Sequence, residues 1–256
     1  MTRLSGYLNE AIYDTPQRSV SLSKEKAIEL LTKNCKESLK STLWRGYGKE
    51  MPDEYLFIDP SKSVRVSANT ANYYTLFMDN DPSWKGYPKR SRSIIGATHL
   101  SRIDHWPAVY RVYPYDGAKI GVCSDNDIWT SFGSGIMLSD INSAISELSG
   151  EFPQTYKELL KAFKIIDMFK YEPEFWNEHD WGKKVLKSMV YFKSDKSFYQ
   201  VYKKYMDPKE NGFYLEGSNY QTHDEYEFWT DSPCIMLRVK DVFAIPNENP
   251  ADDLLS

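Results

Sequence analysis

Apolar residues recur at helical spacing in SLSKEKAIELLTKNCKESLK, at Ile28, Leu31, Cys35 and Leu39, and predict an amphipathic helix. Ser23 is placed to cap it, and Glu25 stands in the first turn, where the helix dipole favours an anion. Gly46 and Gly48 in the following LWRGYG oppose continuation and leave Arg45 on a short strand or a strand end. Residues 1–20 keep no period and read as a loosely ordered arm. Over 51–90, turn signals at Asp59-Pro60, Asp81-Pro82 and Tyr87-Pro88 surround one predicted helix, ANTANYYTLFMD. SIIGAT then reads as a short strand, and AVYRVYPYDGAKIGVCS as two strands joined by the turn Pro114-Tyr115-Asp116-Gly117.

The period changes again at Met137. IMLSDINSAISEL and TYKELLKAFKIIDMF carry helical spacing, which predicts a helical insertion over about 135–207. EYEFWTDSPCIMLRVKDVFAI returns to strand composition, and the acidic tail 247–256 is expected to fray. Helix, strand, helix, strands, a helical block and final strands do not make an alternating βαβ chain. The fold class expected is α+β, in one domain over 1–256.

The chain has 256 residues, 41% hydrophobic and 27% charged, which excludes a disordered or fibrous chain. A net charge of −4 provides no global field for nucleic acid or anionic lipid. No run approaches the ~18–20 apolar residues that span a bilayer, so no membrane partner is expected. Cys35, Cys123 and Cys234 form neither a disulfide framework nor a CxxC site, which fits a reducing, cytoplasmic setting. GxGxxG, GxxxxGK[ST] and HExxH are absent, and His99, His105, His179 and His223 lack ligand spacing, so no metal is expected.

Three features carry candidate chemistry. Arg45 stands between Trp44 and Gly46; Ser91, Ser93 and Thr98 flank Ile94-Ile95; and Glu225 and Glu227 stand two apart, on one face if the segment is extended. Each also has a plain reading: a surface Arg over a buried Trp, hydroxyls satisfying backbone groups, and two acids on a solvated edge. Lys89, Arg90 and Arg92 form a short basic patch that reads first as a solvated turn and second as a phosphate contact. Asp125, Asp127 and Trp129 read as a turn and a buried Trp, because the spacing of a calcium loop is missing.

Taken in order, Trp44-Arg45-Gly46, Ser91-Arg92-Ser93 with Gly96-Ala97-Thr98, Pro114-Tyr115-Asp116-Gly117 and Glu225-Tyr226-Glu227 resemble the ADP-ribosyltransferases. That family has an Arg strand, a strand ending in an STS-type run, a strand reaching a Pro-x-Gly-type turn, and a (Glu or Gln)-x-Glu before its last core strand. The segment RVSANTANYYTLFMDNDPSWKGYPKRSRSIIGATH is also similar to proteins of tailed bacteriophages. The resemblance covers roughly 40–125 and 220–245. It implies a split mixed or antiparallel β-sheet core with flanking helices and the helical block as an insertion.

The resemblance further implies a mono-ADP-ribosyltransferase that takes NAD as substrate, uses no metal, and modifies a macromolecular acceptor, a host protein before a nucleic acid. Glu227 would be the catalytic acid at the ribose, where an oxocarbenium-like state needs a nearby carboxylate. Glu225 would handle an acceptor such as a guanidinium. Arg45 with Gly46 would hold the diphosphate side, and Ser93 or Thr98 would position the site by hydrogen bonding. Tyr73, Tyr74, Trp84 or Trp106 would stack on nicotinamide, with Tyr73 placed in the binding set. Host cytoplasm or a virion would be its setting. The rival readings are a catalytically decayed virion or host-interaction binding protein and a nucleic-acid-directed transferase.

Overall fold

A computed structural model describes residues 19–62, 78–79, 82–124, 128–131, 207–239 and 250–255. Nine strands form one open sheet: β1 Ser19–Ser21, β2 Trp44–Tyr47, β3 Tyr55–Ile58, β4 Ile94–Ala97, β5 Ala108–Pro114, β6 Lys119–Cys123, β7 Phe213–Gly217, β8 Glu227–Thr230 and β9 Cys234–Arg238. Their order across the sheet is β1-β3-β9-β5-β2-β4-β8-β6-β7, and every described pairing is antiparallel. The sheet is therefore antiparallel among the described strands, with no parallel pair of the kind a mixed sheet would contain.

The helix predicted from Ile28 and Leu31 is α1, Lys24–Asn34, and Ser23 caps it by accepting from the Lys26 N–H at 3.2 Å. Its inward stripe is Ala27, Leu31 and Cys35, all fully buried. Leu31 and Cys35 pack on Tyr113, Ile235 and Leu237 of β5 and β9. Full burial of a side chain like Leu31 contributes about 1.5–3 kcal/mol, more than the helix's own propensities supply. The four-residue α2, Ile128–Ser131, follows β6. The tail does not fray throughout: Pro250–Leu255 is a helix, α3, whose Ala251 is fully buried in the cluster beneath α1. Leu254 packs against the same cluster, so this helix meets the core through both residues.

The opposite face of the sheet carries the largest core cluster among the described residues, drawn from Leu43, Tyr47, Leu56, Ile94, Tyr110, Val112, Ile120, Val122, Phe228 and Met236 among others. It takes residues from both sides of β2 and β4, so the sheet curls around it. At that line the ladder is thin, because Trp44↔Ala97 is the single pairing between β2 and β4. The predicted turn at 114–117 is present, and Gly117 meets its left-handed requirement with φ 75°. The predicted helix ANTANYYTLFMD, apart from Met78 and Asp79, and the predicted insertion up to residue 206 lie outside the described residues.

The three cysteines are free and buried. Burial pushes the Cys35 thiol up to about 12, with Asp116 adding to the shift, and burial raises Cys234 well above the ordinary thiol range. A thiolate is the reactive form, so the native chain is expected to leave a disulfide reagent such as DTNB unreacted at pH 8. All three thiols should titrate after denaturation; rapid reaction of even one in the native chain would contradict this packing.

Candidate functional site

Glu225, Glu227 and Trp229 are spaced by two, and β8 fixes where the last two point. Glu227 pairs with Ala97 on one side and Cys123 on the other; Trp229 pairs with Ile95 and Gly121. Trp229 is fully buried, and its indole lies flat over Gly121, where a Cβ would stand 2.7 Å from Trp229 Cδ2. The indole N–H donates to the Pro88 carbonyl at 3.1 Å, while Tyr87 stacks on the ring at 6.2 Å and Trp84 and Phe213 close its edges.

Arg90 rests on this aromatic floor, its guanidinium carbon 5.3 Å from the Trp229 ring centre. Its Nη2 reaches Glu227 Oε1 at 2.6 Å, with Arg90 3% and Glu227 15% exposed. A guanidinium held this way sets a fixed positive charge against the carboxylate. Arg90 Nη1 is buried and finds no hydrogen-bond partner among the described residues. The short 3₁₀ turn Arg90–Arg92 that presents this side chain is fastened from two sides. Asp79 accepts from the Ser91 N–H at 3.3 Å, and Ser93 Oγ donates to the Lys89 carbonyl at 2.6 Å. Burial raises the Asp79 carboxyl above its ordinary range, against the opposing pull of Ser91 and Lys89.

Arg90 is therefore not part of a solvated turn. Composition did not distinguish it from Lys89 and Arg92, because all three sit in PKRSRS and only the tertiary position of Trp229 selects the middle one.

Thr98 lies just past β4 and is fully buried. Its hydroxyl donates to the Asp224 carbonyl at 2.6 Å and accepts from the Tyr226 N–H at 2.9 Å, and its own N–H donates to the Tyr226 carbonyl at 2.9 Å. Thr98 thus pins the segment that carries both glutamates. Ser93 supports the Arg90 turn instead, so the two candidate hydroxyls do different work. Thr98→Val, nearly the same shape, is expected to lower stability by about 1–3 kcal/mol in urea unfolding, whereas Thr98→Ser stays close to the parent. Equal midpoints for Val and Ser would show that these bonds do not hold the segment.

Glu225 is exposed and accepts from Ser101 Oγ at 2.8 Å, with His99 Nδ1 4.0 Å from the same carboxylate oxygen. The acid pair is consequently divided, one member half-sealed against an arginine and the other in solvent.

Arg45 is placed differently from the reading as a surface or diphosphate-binding residue. It is 3% exposed, donates from Nη1 to the Ile95 carbonyl, and lies over the Tyr47 ring at 5.0 Å. It pairs with Tyr110, on the face of the large core cluster. Trp44 pairs with Ala97, and Ala97 with Glu227, in the row on the other face. Alternation along β2 therefore sets Arg45 and Glu227 on opposite faces of the sheet. Gly46 admits the Trp106 ring, whose Cγ would lie 2.7 Å from a Cβ there. Of the aromatic candidates, Trp84 is buried in the Trp229 cluster, Trp106 covers Gly46, and Tyr73 and Tyr74 lie outside the described residues.

No cluster of three His, Cys, Asp or Glu suited to a metal occurs among the described residues. No helix among them is long and apolar enough to cross a membrane. Comparison of the chain with protein-family models, with curated proteins and with solved structures finds no match.

Proposed function

We propose that the chain is an ADP-ribosyltransferase-like enzyme that moves ADP-ribose from NAD to a macromolecular acceptor, a protein before a nucleic acid. The observation that carries this reading is the Glu227–Arg90 pair at the head of β8, with solvent-exposed Glu225 two residues away. Loss of nicotinamide leaves positive charge on the ribose, and a fixed, ionised carboxylate stabilises it. Glu227 is a carboxylate fixed against Arg90. Arg90, rather than Arg45, supplies the cation beside it. The strands bearing the three sequence motifs, β2, β4 and β8, are consecutive neighbours, and Thr98 ties the second to the third. A phage setting would make a host protein the natural acceptor.

A second reading, a binding protein of the same ancestry without transfer, is favoured by Arg45. Its guanidinium is committed to the core on the face opposite Glu227. The nucleic-acid reading is weakened because Arg90, one of the three basic residues it would use, faces Glu227. The test is incubation of the purified chain with labelled NAD in a bacterial lysate, following nicotinamide release and label transfer. Release with label on a discrete band supports the transferase. Binding of NAD without release supports the second reading.

A further inference from the structure

Ser101 is the one exposed hydroxyl that the described structure holds against a carboxylate of the proposed site. It sits in the 3₁₀ turn Leu100–Arg102, which buried Leu100 and Ile103 anchor into the sheet. Its Oγ is 2.8 Å from Glu225 Oε1 and 2.8 Å from His99 Nδ1. Both sides of this contact are fixed by buried groups: the serine by the turn, the glutamate by the bonds from Thr98 to Asp224 and Tyr226. A serine hydroxyl is a weak nucleophile until a base stands within about 2.6–3.2 Å of it, and Glu225 stands at that range.

Alternate residues of an extended chain are about 7 Å apart, which is the span of one sugar ring with its substituents. A ribose whose charge is stabilised by Glu227 would present its anomeric carbon toward Glu225 and the hydroxyl beside it.

We infer that Ser101 is itself an acceptor, so that the chain ADP-ribosylates its own Ser101; this rests on the transferase reading above. The Ser101 Oγ–C1′ bond forms as the C1′–nitrogen bond to nicotinamide breaks. The nicotinamide nitrogen keeps the bonding pair and leaves neutral, and the serine proton passes to the Glu225 carboxylate. The product is an O-glycosidic link, chemically distinct from the ester that a carboxylate acceptor would give.

The experiment uses the full chain and NAD labelled in its adenylate half, with no other protein present. Nicotinamide release is followed in parallel, and the label is mapped by mass spectrometry. The expected result is a label on Ser101 that resists hydroxylamine, falls at least tenfold in Ser101→Ala and persists in Ser101→Thr, with nicotinamide release still measurable in Ser101→Ala. Label at another residue, a hydroxylamine-labile label, equal labelling of Ser101→Ala, or release with no label on the chain would each overturn the inference. Absence of nicotinamide release from the parent chain would overturn the transferase reading itself, and this inference with it.

Discussion

Glu227→Gln is expected to reduce nicotinamide release from NAD by about 100-fold or more, the size of effect that follows loss of one well-placed charge-stabilising group. The same substitution is expected to cost stability. Arg90 is 3% exposed and faces the Glu227 carboxylate at 2.6 Å. Removing the negative partner strands a buried guanidinium, an outcome that costs about 3–5 kcal/mol when nothing replaces the carboxylate. A glutamine keeps the shape and a polar oxygen at that position, which places this variant near the lower end. Arg90→Met should destabilise by a similar amount, and the double variant by less than the two single losses together, because neither charge is then left alone. Urea unfolding of the four chains measures the stability, and release assays at a temperature where all four are folded separate it from catalysis. Strictly additive losses would show that the pair is not coupled; unchanged release by Glu227→Gln would remove Glu227 from the chemistry.

Gly121→Ala should be the most damaging single-methyl change on this side of the sheet. The added carbon would overlap the Trp229 indole, which cannot retreat because Tyr87, Trp84 and Phe213 surround it and its N–H is bound to Pro88. Overpacking of this kind costs about 3 kcal/mol. In a domain of this size that lowers the melting temperature by roughly 6–12 °C. Gly117→Ala is the informative contrast. There the new carbon meets nothing within 4 Å, and only the φ of 75° opposes it. That cost is roughly 1–2 kcal/mol. Calorimetry that ranks the two in the opposite order would show that Trp229 can move, and that the floor beneath Arg90 is softer than its packing implies.

Local patterns carried much of this fold into view. Ser23 with the Leu31 spacing marked α1, and Pro114 to Gly117 marked the turn between β5 and β6, because capping and turn chemistry act over a few residues; that these two strands pair with other neighbours rather than with each other is not a local matter. β3, YLFI, escaped: four apolar residues without alternation do not distinguish a strand from a turn of buried chain. β1 and β7 are the two edges of the sheet and carry the mixed exposure of edges, which hides their period.

In the candidate site, the two glutamates and Thr98 were legible as motif residues. The role of Arg90 was not, since it depends on a pairing with a residue 137 positions further along the chain that no local pattern records. The residues of β2 suggest a surface Arg45 and the resemblance a ligand-facing one, but sequence does not reveal which face of a four-residue strand looks inward; the registers with Tyr110 and Ala97 decide that.

The thin joint between β2 and β4 divides the sheet into five strands and four, but the chain does not respect the division. β8 lies inside one part, between β4 and β6; β9, only a short turn later, lies inside the other, between β3 and β5. The four-strand part therefore lacks an interior strand until β8, the eighth, has been made, and the five-strand part until β9, the ninth. On the ribosome the pairs β1–β3, β2–β5, β2–β4 and β6–β7 can form early, but β8 and β9 join them into the full sheet only when residues 227–239 emerge. Synthesis of this protein consequently ends in a late assembly, and a message truncated before β8 yields neither part whole.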